Sequence, residues 1–84
     1  MPDVPRPIRE LATDMCVRMF RQGRPGRKIV VSGRSLERCV EGVEDYLLGL
    51  SPPDEAISKV SSATGQRFDK VKRVLDRAKK RVIV

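Results

Sequence analysis

The chain has 84 residues, with 18 lysines and arginines against 11 acids, no histidine and only three aromatic side chains, for a formal net charge of +7. That length allows one domain with a modest core, so a homodimer is an expected source of stability. No run is long enough to span a bilayer, and the opening Met1-Pro2-Asp3-Val4-Pro5-Arg6-Pro7 lacks the apolar segment of a secretory leader. The expected location is therefore the cytoplasm, at the nucleoid in a bacterial or phage setting, with no membrane partner.

Three prolines in the first seven residues predict an extended arm over residues 1–7, and a single domain over 8–84. From Ile8 the apolar residues fall at Leu11, Ala12, Met15, Cys16, Met19 and Phe20, the spacing of one helix face, which Gly23 and Pro25 end. A turn through Arg24-Pro25-Gly26-Arg27 follows, and the β-branched run over residues 28–32 predicts a short strand. Ser35 reads as the N-cap of a second helix, whose apolar face is Leu36, Cys39, Val40, Val43, Leu47 and Leu50. Cys16 and Cys39 both fall on apolar faces and are expected to be free thiols packed as small hydrophobes.

Ser51-Pro52-Pro53-Asp54-Glu55 is a start signal for a third, short helix: a serine cap, proline at the first helical position and acids in the first turn. It buries Ala56, Ile57, Val60 and Ala63 and closes at Gly65. A fourth helix over 66–81 turns Phe68, Val71, Val74 or Leu75, and Ala78 inward. Val82-Ile83-Val84 has three open fates: a strand paired with residues 28–32, an extension of the last helix, or a contact with a second subunit. The expected fold is thus mainly α, a four-helix small domain with a short β element.

Charge is unevenly placed along this chain. Residues 66–81 carry eight bases (Arg67, Lys70, Lys72, Arg73, Arg77, Lys79, Lys80, Arg81) against Asp69 and Asp76, for +6, and residues 24–34 add +4. Residues 35–50 carry −3 and residues 51–65 carry −1. Such polarity suggests one surface shaped for a polyanion and another facing solvent or a protein.

The segment from Ser61 to Leu75 resembles the helix-turn-helix signature of bacterial and phage DNA-binding proteins. Ser61 stands at the small position of the first helix, Gly65 in the turn four residues later, and Val71 and Val74 at the apolar positions beyond it. The small residue lets two helices approach, the glycine takes the left-handed turn, and the valines anchor the second helix so that its other face can enter a major groove. Gln66 departs from the pattern, which places an apolar residue just after the glycine. The resemblance implies double-stranded DNA as partner. Gln66, Arg67 and Lys70, with Arg73 or Asp69, would face base edges, and Lys72, Arg77, Lys79, Lys80 and Arg81 would meet phosphates.

A secondary phosphate contact is expected from Arg24, Arg27, Lys28, Arg34 and Ser35, where the loop meets the second helix. The same loop lacks the spacing and the Lys-Ser/Thr ending of a nucleotide-binding loop. A strand followed by two helices also invites comparison with ribbon-helix-helix proteins, although the long helix before the strand does not fit that order.

Catalysis has no support in the residue set. Without histidine, paired acids in an apolar setting or metal-ligand spacing, the chain reads as a binding protein, with no catalytic residue, no metal site and no cofactor. Sequence-specific or architectural DNA binding, serving transcriptional regulation or DNA organisation, is the expected function. The competing expectation is a protein-assembly adaptor that docks a partner through the acidic helix 35–50 and the apolar C-terminus.

Overall fold

The computed structural model describes residues 4–22 and 33–82, which form four helices: α1 (Arg6–Gln22), α2 (Gly33–Leu48), α3 (Pro53–Thr64) and α4 (Phe68–Val82). The mainly α class expected from sequence is observed, and no strand occurs among the described residues. Residues 28–32, the expected strand, and 83–84 lie outside the described residues. Val82, one of its three candidate partners, is instead the last residue of α4.

α1 and α2 run antiparallel, since Cys16 meets Cys39 and Arg9 meets Glu44. α3 lies across α2, and α4 packs on α2 and α3. Their apolar faces converge on a core in which Ile57, Leu75, Val43, Val60 and Val71 are fully buried, each contributing roughly 1.5–3 kcal/mol by leaving water. Gly42 is what lets α2 and α3 approach: a Cβ there would meet Val60 Cγ2 at 2.7 Å and the Ala56 carbonyl oxygen at 3.2 Å.

Several sequence expectations are corrected at the element ends. The arm is shorter than residues 1–7, because α1 begins at Arg6 and the Pro5 carbonyl already accepts hydrogen bonds from the amides of Ile8 and Arg9 at 3.0 and 3.1 Å. Pro7 sits in this first turn, where a missing N–H costs nothing. Ser35 is not a cap, since α2 begins two residues earlier at Gly33. Ser51 does not cap α3 either: Pro52 holds that position without a side-chain bond, and the Ser51 hydroxyl donates to Asp45 at 3.3 Å.

α2 also ends sooner than its apolar pattern suggests. It stops at Leu48, Gly49 turns the chain with φ 68°, and Leu50 emerges 45% exposed instead of continuing the buried face. The expectation of free thiols is likewise overturned. Cys16 and Cys39 form a disulfide, with Cα atoms 6.0 Å apart, in the ordinary range for a bridge. Both are fully buried, so the pair staples α1 to α2 inside the core.

Candidate nucleic-acid interface

The geometry of the basic helix begins at its turn. Gly65 takes the left-handed conformation (φ 74°, ψ 8°) that a side chain would disfavour, and its amide donates to the Ser61 carbonyl at 2.9 Å. The Ser61 hydroxyl donates to the Gln66 carbonyl at 2.6 Å, and the Gln66 amide donates to Thr64 Oγ1 at 3.2 Å. Thr64 in turn donates to the Val60 carbonyl at 2.8 Å. The three-residue link Gly65-Gln66-Arg67 is therefore held by both its backbone and its side chains.

Gln66 was expected on the groove-facing side, and the structure corrects this. Its side chain is buried, and Nε2 donates to the Met19 carbonyl at 2.9 Å. Met19 lies in the last turn of α1, where carbonyls have no partner within the helix. Gln66 thus fills the slot that the helix-turn-helix pattern gives to an apolar residue, and it ties the start of the basic helix to α1. Its carboxamide satisfies a carbonyl that an apolar residue would leave orphaned.

Beyond the turn, Val71 and Leu75 are fully buried and Val74 only partly so. Of the two alternatives open in the sequence, Leu75 is the deeper anchor. With that face inward, Lys70, Arg73, Arg77, Lys80 and Arg81 recur at three- and four-residue steps along the opposite face, all exposed. They span about 16 Å of helix at 1.5 Å per residue. Arg67, in the turn, and Lys72, on one flank, are exposed as well.

No ion pair among the described residues involves any of these seven bases; the pairs found there join α1 to itself, α1 to α2, and α2 to α3. The two acids of α4 do little to offset them. Asp76 is turned to the Tyr46 hydroxyl, which donates to it, and Asp69 alone stands exposed at the helix start. Lys79 is the exception among the bases, half-buried with Nζ 5.2 Å from the centre of the Tyr46 ring.

The secondary cluster is only partly described. Arg24, Arg27 and Lys28 lie outside the described residues, while Arg34 is exposed in the first turn of α2 and Ser35 is half-buried one position on.

Elsewhere three of the four acids of α2, Glu41, Glu44 and Asp45, are engaged within the fold. Lys59 of α3 bridges Glu41 at 2.9 Å and Asp45 at 3.7 Å, and its ammonium is held protonated to higher pH chiefly by the hydrogen bond to Glu41. Glu44 is buried and meets Arg9 Nε at 3.5 Å. Sequence reasoning missed the burial of Glu44, Tyr46 and Thr64, since polar types in an amphipathic pattern read as solvent-facing.

No family model, curated protein or solved structure matches this chain. No helix among the described residues is long and apolar enough to cross a membrane.

Proposed function

We propose that this chain binds double-stranded DNA through the exposed face of α4, presented by the α3–turn–α4 hairpin, as a regulator or organiser of DNA. The observation that carries the reading is the row Lys70, Arg73, Arg77, Lys80 and Arg81, solvent-exposed and in no ion pair among the described residues. A helix whose bases served only solubility would mix both signs along its face. Here the acid at 76 is drawn aside by Tyr46, which leaves Asp69 at the helix start as the one exposed acid of α4.

Roles within the row follow from position. Arg67, Lys70 and Arg73, nearest the turn, are placed to reach base edges, where a bidentate arginine contact discriminates by about 1–3 kcal/mol. Arg77, Lys80, Arg81 and Lys72 supply phosphate contacts, with Lys79 kept closer to the body of the protein by Tyr46. The left-handed turn at Gly65 and the small Ser61 beside it support the helix-turn-helix reading of the hairpin.

Titration against a random duplex at several salt concentrations tests the proposal. With about six phosphates engaged, the logarithm of affinity falls with the logarithm of salt at a slope near −5. Alanine at Arg67, Lys70 and Arg73 abolishes measurable binding. A flat salt dependence, or binding indifferent to these three changes, rejects DNA as the ligand and favours the adaptor reading based on the acidic helix.

A further inference from the structure

A groove of about 580 Å³ runs between α1 and α2, with no residue of α4 in its walls. Val4, Leu36, Val40 and Leu50 give it an apolar floor, and of these Leu50 is the one large hydrophobic residue exposed among the described residues. Glu37, Glu41, Glu44 and Asp45 line it too. Arg9 and Lys59 are the cations that meet these acids, so four carboxylates share two positive charges and the lining keeps a negative excess. Glu37 is exposed and takes part in none of these pairs.

Complementary chemistry is present on the same molecule. The last turn of α4 carries exposed Lys80 and Arg81 beside the half-exposed, apolar Val82. It also lies at the same end of the fold as the mouth of the groove. α4 passes Tyr46 through Asp76 and Lys79, and Tyr46 adjoins Asp45, whose carbonyl accepts the Leu50 amide at 2.9 Å.

We propose that this groove receives the C-terminal turn of α4 from a second copy of the chain. Val82 covers the apolar floor near Leu50, and Lys80 and Arg81 face Asp45 and Glu41, which share the single cation Lys59. Each protomer offers both a groove and a helix end, and the proposed arrangement is the two-fold one in which each copy's helix end enters the other's groove. The assembly is then a closed dimer and not an open filament. The inference does not depend on the DNA reading: the association is measured without nucleic acid, and a duplex that engages Lys80 and Arg81 competes with the dimer contact.

Sedimentation equilibrium of the full chain, at low and at high salt, tests it with two variants at exposed positions, Leu50→Asp and Arg81→Glu. The wild type is a dimer whose dissociation constant rises with salt. Each variant weakens association about tenfold or more, while circular dichroism shows an unchanged helix content. Mixing the two variants restores part of the lost affinity, because the mixed pair keeps one intact groove facing one intact helix end. A monomer at all accessible concentrations overturns the proposal. So does a dimer indifferent to both variants, or a mixture that associates no better than its components.

Discussion

Tyr46 of α2 donates its hydroxyl hydrogen bond to Asp76 of α4, and Lys79, one turn further along α4, lies over the same ring. One buried phenol thus draws an acid and a base of the basic helix toward the body of the protein. The remaining bases are left facing outward. This pairing joins residues 30 apart in sequence.

A pH dependence follows from that contact. Burial, reinforced by the hydrogen bond to Asp76 and by its negative charge, pushes the Tyr46 hydroxyl from the ordinary 10.0 up to about 12. The protonated phenol is therefore favoured in the folded state. Its contribution to stability is fully present below pH 10 and is lost as pH rises from 10 to about 12. Tyr46 is the single tyrosine of the chain, so its ultraviolet titration reads the group directly. The expected midpoint is near 12 in the folded protein and near 10 in denaturant; a midpoint of 10 in the folded protein refutes the buried contact.

Replacing Gln66 with alanine separates positioning from DNA contact. The change leaves the Met19 carbonyl without its partner and lowers stability by about 1–3 kcal/mol in urea denaturation. The salt slope of duplex binding stays as in the wild type, whereas Arg77→Ala, at a phosphate-contacting position, lowers it by about one. An unchanged stability together with a lost base preference returns Gln66 to the groove-facing set.

The disulfide predicts a redox-dependent stability. Cys16 and Cys39 are 23 residues apart in sequence, and closing a loop of that size removes about 3 kcal/mol of chain entropy from the unfolded state. Unfolding by urea with and without reductant measures the difference, and the double variant Cys16→Ala, Cys39→Ala reproduces the reduced midpoint. If reductant leaves the midpoint unmoved, the two thiols are unpaired.

Gly42→Ala tests the close approach of α2 and α3. Alanine has the better helix propensity by about 1 kcal/mol, but its Cβ would lie 2.7 Å from Val60 Cγ2. Overpacking of this kind costs about 1–3 kcal/mol, so the net change is destabilising. Combining it with Val60→Ala relieves the clash, and the double-mutant cycle returns a favourable coupling energy. Additive effects would mean the helices are not in contact there.

By itself, the sequence determined the helical elements and their inward faces, because amphipathic spacing is a local property written in every turn. Ile57, Val60, Val71 and the α1 face from Ala12 to Phe20 are buried where that spacing puts them. The concentration of bases in residues 66–81 was equally legible, since charge can be counted without coordinates. What only the tertiary structure decided is where neighbouring elements meet. The buried amide of Gln66, the Cys16–Cys39 bridge and the diversion of Asp76 toward Tyr46 each depend on a partner far along the chain. Periodicity tells which side of a helix avoids water, but a polar residue's fate depends on whether another segment brings it a partner, and that is settled by packing.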